Sequence, residues 1–129
     1  MNPSPHASAA LRVLVTDDDA LNLRIAARLL RELGHSGALA NNGQIALDML
    51  ARQPFDLLLL DLSMPVLDGM GTLAALRERR RQGRPQPPVI LITGHDLAPN
   101  WAYYRDAGAA GFVQKPLSLE ALAAALQRL

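Results

Sequence analysis

Apolar and polar positions alternate along this chain in two periods. Short apolar runs, read as buried strands, are followed by stretches with apolar residues at helical spacing, and the pair recurs five times. Leu11 to Thr16 is the first run and ends in Asp17, Asp18 and Asp19. Leu21, Ile25, Leu29, Leu30 and Leu33 then mark a helix face that Gly34 can stop. Ser36 to Ala40 predicts a weak second strand, and Asn41 or Asn42 can cap a helix carrying Ile45, Met49 and Leu50. Asp56 to Leu60, almost wholly apolar, predicts a third strand buried on both faces. Met70, Leu73 and Leu76 mark the third helix, and Pro87 to Thr93 the fourth strand. Leu97 to Ala107 reads as a short helix started by Pro99, Gly111 to Val113 as a brief fifth strand. Leu119, Leu122 and Leu126 mark the last helix.

Strand–helix alternation implies a parallel sheet with helices on both faces, because parallel strands need crossover connections. The 129 residues make one ordinary domain, and half of them are hydrophobic. Residues 1–10, rich in Pro, Ser and Ala, read as a disordered tail, leaving 11–129 as the folded domain. They lack the basic start and apolar stretch of a signal peptide, and no run approaches the roughly 18 apolar residues that span a bilayer. A cytoplasmic protein without membrane contact is expected. The net charge of +1 gives no general attraction to nucleic acid, and the absence of cysteine removes disulfides and thiolate metal sites.

In open parallel sheets, ligands bind beyond the carboxyl ends of the strands. There the chain places Asp17, Asp18 and Asp19, then Asp61, Thr93 and Lys115. Carboxylates crowded together repel, and a hard divalent cation relieves them; magnesium suits oxygen donors and phosphate, with manganese as an alternative. A nucleotide site would instead show a glycine-rich loop entering a helix. The residues therefore point to phosphoryl transfer: one carboxylate attacks phosphorus, while cations and a hydroxyl stabilise the equatorial oxygens.

These stretches resemble the response-regulator receiver domain over almost the whole chain. The matching residues are Val13 to Asp19, Asp61-Leu62-Ser63-Met64-Pro65 with Asp68-Gly69, Ile92-Thr93-Gly94, and Phe112-Val113-Gln114-Lys115-Pro116. The resemblance implies a flavodoxin-like (βα)5 fold with strand order 2-1-3-4-5. It implies that Asp61 is the phosphorylated aspartate and Asp18 a direct metal ligand. Asp17 would act mainly through a metal-bound water, the Ser63 carbonyl would complete the protein ligands, and Thr93 and Lys115 would hold phosphoryl oxygens. Phe112 falls at the family's aromatic switch position, and a cis peptide is implied before Pro116.

Plainer roles stand beside these. Asp19 sits where a helix N-cap belongs, Asp68-Gly69 is a turn before a helix, and Phe112 is also an ordinary core residue. His6, His35 and His95 lack metal-ligand spacing. The run Arg77, Arg79, Arg80, Arg81 and Arg84 ends a helix, where cations suit the dipole, so nucleic-acid binding is not expected. Trp101 and Tyr104, with Tyr103, are candidates for a partner face; a dimer through the fourth helix, fifth strand and last helix is a further expectation.

The resemblance makes a histidine kinase or a histidine phosphotransfer domain the phosphoryl donor. It makes the chain a signalling domain that promotes its own phosphorylation and slow dephosphorylation rather than an enzyme. Ala20 to Leu23, Leu33-Gly34-His35 and Asn42-Gly43 are similar to receivers of hybrid sensor kinases. The alternative is a pseudo-receiver that is never phosphorylated and works as an interaction module. An aspartyl phosphohydrolase would usually carry a second Asp where Ser63 stands, and a flavin or nucleotide domain is disfavoured by the acidic cluster.

Overall fold

A computed structural model describes residues 10–129, so the expected tail lies, but for Ala10, outside the described residues. The elements run β1 (Arg12–Thr16), α1 (Ala20–Glu32), β2 (Ser36–Ala40), α2 (Gly43–Arg52), β3 (Leu57–Asp61), α3 (Gly69–Arg81), β4 (Val89–Thr93), a 3-10 turn (Ala98–Asn100), α4 (Trp101–Asp106), β5 (Gly111–Gln114) and α5 (Leu119–Gln127). The five strands form one parallel sheet in the order β2-β1-β3-β4-β5. This is the predicted topology. β3 and β4 lie inside the sheet, and each is buried at all five positions.

Alternate strand residues feed two cores. Leu14, Leu58, Leu60, Val89 and Leu91 face α2, α3 and α4, while Val13, Val15, Leu57, Leu59, Ile90 and Ile92 face α1 and α5. The entrances of α1, α2, α3 and α5 are each fixed by a side chain that accepts an otherwise orphaned backbone N–H. Asp19 takes that of Leu21 at 2.8 Å, Asn42 that of Ile45 at 2.9 Å, Asp68 that of Gly71 at 2.8 Å and Ser118 that of Ala121 at 3.1 Å. Of the two candidate caps for α2, Asn42 is therefore the one used.

Five local expectations are corrected. The buried stripe of α1 is Leu23, Ala26 and Leu30; Leu21 and Ile25 are 62 % and 38 % exposed. At 100° per residue they project away from the sheet, and the abundance of leucine concealed which stripe packs. Ile45 of α2 is also exposed, the core side being Ala46 and Leu47. Asp56 precedes β3 instead of starting it, because its carboxylate accepts the Arg12 N–H at 2.8 Å. The expected Leu97–Ala107 helix breaks in two, since Pro99 sits within a 3-10 turn before α4. Asp61 closes β3 from inside rather than lying just beyond it, whereas Thr93 ends β4 as expected.

Candidate functional site

The sheet delivers Asp17, Asp61, Thr93 and Lys115 to one rim. Parallel pairing sets them side by side: Thr16 is opposite Leu60, Asp61 opposite Ile92, and Thr93 opposite Gln114. Asp17 and Asp61 are 2 % and 3 % exposed, while Asp18 faces solvent. One carboxylate oxygen from each of the three lies within 4.8 Å of the others. The Lys115 ammonium reaches across the cluster, 3.2 Å from Asp17 Oδ2 and 3.4 Å from Asp61 Oδ2. The Asp61 Oδ1 accepts the Ser63 N–H at 3.2 Å, and Asp17 Oδ1 accepts the Asp19 N–H at 2.9 Å.

These contacts set the charge balance. Burial pushes the Asp61 carboxyl above its ordinary range; the Ser63 N–H pulls it down, the Asp17 charge pushes it up again, and Lys115 opposes both rises. For Lys115, burial disfavours the ammonium, but the hydrogen bond and charge of Asp17, then those of Asp61, outweigh it and raise the lysine. One ammonium against three carboxyl groups leaves room for a further cation. The donor set is all oxygen, converging and only partly neutralised, which fits a hard divalent ion better than a soft one.

Thr93 is buried, and its hydroxyl oxygen accepts the His95 N–H at 3.1 Å, leaving its proton for an acceptor in the cleft. The Lys115 N–H donates to the Thr93 carbonyl at 2.7 Å, tying the ends of β4 and β5 together. The Lys115–Pro116 peptide is cis. The loop after β3 is held beneath the cluster by Gly69. A Cβ there would stand 2.6 Å from both the Asp61 carbonyl oxygen and the Leu62 Cα, so only glycine lets α3 begin this close to Asp61.

A cavity of about 730 Å³ opens over the cluster. Asp18, Asp61, Ser63, Thr93 and Lys115 line it, and Asp17 joins them through Lys115. Sequence reasoning missed four further polar residues of the lining: Asn22, His95, Asp96 and Asn100. Asn22 was open to discovery, being one helical turn beyond Asp18.

Tyr104 is half-buried and lines this cavity, with Tyr103 edge-on to it at 5.1 Å; Tyr103, at 64 %, is the exposed aromatic of α4. Trp101 and Phe112 are half-buried, with ring centroids 5.5 Å apart, beside a second groove of about 440 Å³ between α4, β5 and α5. His35 Nδ1 accepts the Leu11 N–H at 2.9 Å, a structural contact; His6 lies outside the described residues.

A doubly wound parallel domain with three acidic groups and a lysine at its strand ends belongs among the strand-end-site α/β proteins, and comparison names the branch. Residues 13–127 match the response regulator receiver domain, and the chain belongs to that family. It is thus a two-component signalling domain with an acidic pocket at Asp17, Asp18 and Asp61. It is 35 % identical over 118 residues to the sensor histidine kinase GacS of Pseudomonas protegens, covering 90 % of this chain and 13 % of that protein. The Vibrio cholerae chemotaxis protein CheY4 superposes with a TM-score of 0.81 at 27 % identity, covering 93 % of this chain and 98 % of that one. The receiver domain of sensor histidine kinase PA1611 from Pseudomonas aeruginosa, a structure with a magnesium ion coordinated in its active-site cleft, superposes with a TM-score of 0.78. It is 29 % identical, with 93 % and 97 % of the two chains covered. No described helix is long and apolar enough to cross a membrane.

Proposed function

We propose that this domain accepts a phosphoryl group on the Asp61 carboxylate from a protein-bound phosphohistidine. The supporting observation is the placement of Asp61: it is buried at the end of β3, in contact with one lysine and flanked by two further aspartates, with a cavity open above it. A carboxylate oxygen forms the new bond to phosphorus as the P–N bond of the phosphohistidine breaks, its electron pair returning to the imidazole. Lys115 favours the anionic form of Asp61 against burial and balances charge on the transferring oxygens, and the free proton of Thr93 serves one of them.

Asp17, Asp18, Asp61 and the Ser63 carbonyl would hold magnesium, or manganese in its place, and the bound ion supplies positive charge to the phosphoryl oxygens. The PA1611 receiver, with magnesium coordinated in its active-site cleft, supports magnesium as the ion. The donor is a histidine kinase or a phosphotransfer domain, and the likeness to GacS supports a place in a hybrid kinase relay. The α4, β5 and α5 face, with Trp101 and Phe112 at its groove, is the output and dimer surface.

Acetyl phosphate supplied with magnesium tests the acceptor role. Intact mass should show one phosphoryl group gained, and chelation should abolish the gain. A chain that stays unmodified under these conditions would be the interaction module instead.

A further inference from the structure

We propose that Val66 is a contact residue for the protein that donates the phosphoryl group; the proposal rests on the reading of Asp61 as acceptor. Among the large apolar side chains described, Val66 is the most exposed, at 83 %. Its φ of 68° is in the left-handed region, and the Leu67 N–H donates to the Pro65 carbonyl at 2.8 Å across it. A γ-turn of positive φ is strained, and a β-branched residue at its centre is among the least suited to it. Glycine or asparagine would relieve the strain. Valine gains no burial in return, so neither the backbone nor the core accounts for it.

The turn cannot relax, because both flanks are fixed. The Leu67 carbonyl accepts the Gly43 N–H at 3.3 Å, and its side chain packs on the core. Asp68 caps α3, and Gly69 is wedged against the Asp61 carbonyl. Met64 and Asp68, on either side of the turn, both line the acidic cavity. Val66 therefore stands beside the cavity, between two of its lining residues, on a rigid backbone. Its side chain has little rotamer freedom to lose, which makes it an apolar contact that costs little entropy to form.

Donor size decides who meets this residue. Asp61 is 3 % exposed beneath the cavity, so phosphorus must enter through the mouth. A small donor such as acetyl phosphate fits inside without touching the rim. A phosphohistidine on a protein must bring its surrounding surface against the rim. Val66 thus serves protein donors and is irrelevant to small ones.

The test compares the two donor classes on Val66→Gly, Val66→Asn and Val66→Ile, with a panel of phosphorylated phosphotransfer domains and kinase transmitters as protein donors. Gly and Asn variants should melt at or above the wild-type temperature and label from acetyl phosphate at the wild-type rate. Their KM for protein donors should rise roughly three- to tenfold with little change in kcat, the expected effect of losing one apolar contact. Ile should keep the wild-type KM. An unchanged KM in Val66→Asn, or an equal loss with both donor classes, overturns the proposal. So does a wild type that acetyl phosphate labels but no protein donor does. A wild type unlabelled by acetyl phosphate would remove the acceptor reading itself, and this proposal with it.

Discussion

At the scale of single residues, Asp61 carries a conflict that its neighbours only partly settle. Burial and the Asp17 charge hold its proton to higher pH in the folded chain than in the unfolded one, despite Ser63 and Lys115. The folded state then binds more protons than the unfolded state, so stability falls as pH rises from the ordinary value of 3.8 through the raised one. Lys115 behaves differently: its raised value contributes stability that is complete below 10.5 and lost as pH climbs through the folded value. Metal-free Asp61→Asn should therefore gain in melting temperature over the wild type as pH moves from about 4 to neutrality, a difference that thermal scans in chelator will read. A constant difference across that range would show that the Asp61 charge is not strained.

At the scale of elements, much was legible because the residues that stop strands are also the residues that act. The all-leucine run of β3 ending in Asp61 announced both a central strand and a reactive end. Asp19 and Asp68 announced helix starts through their side-chain geometry. The packed face of α1 was not legible, because Leu21, Leu23, Ile25, Leu29 and Leu30 offer more apolar positions than one face needs. Nor was the role of the arginine run, which depends on contacts across the fold. Arg79 donates to the Leu47 carbonyl at 3.0 Å, Arg80 to that of Pro87 at 2.8 Å and Arg77 to that of Asp106 at 3.2 Å, stitching α3 to its surroundings. Gly69 supplies the sharpest element-scale prediction. Gly69→Ala drives a methyl group into the Asp61 carbonyl and the Leu62 backbone, and should cost about 1–3 kcal/mol, seen as a fall in denaturation midpoint. Asp68→Ala removes only a cap and should cost about 1 kcal/mol. Equal losses from the two would mean that the loop after β3 yields easily.

At the scale of the whole molecule, the sheet gathers charge at one end and leaves a half-buried aromatic pair, Trp101 and Phe112, on a neighbouring face. Thr93 joins the two, since it contacts the cavity through its hydroxyl and β5 through its carbonyl. Millimolar magnesium should raise the melting temperature by selective binding to the folded chain, and Asp18→Ala should remove most of that rise. Beryllofluoride with magnesium, standing in for the phosphoryl group, should alter Trp101 fluorescence, and Thr93→Ala should blunt the change. A signal confined to the surroundings of Asp61 would show the cleft and the aromatic face to be uncoupled. The central claim, that Asp61 itself accepts the phosphoryl group, is tested most directly by chemistry specific to an acyl phosphate. Borohydride reduces an aspartyl phosphate to homoserine, so peptide mass spectrometry of the phosphorylated and reduced domain should find homoserine at position 61, and none in Asp61→Asn. Homoserine at another aspartate, or at none while the intact protein has gained phosphate, would contradict the account.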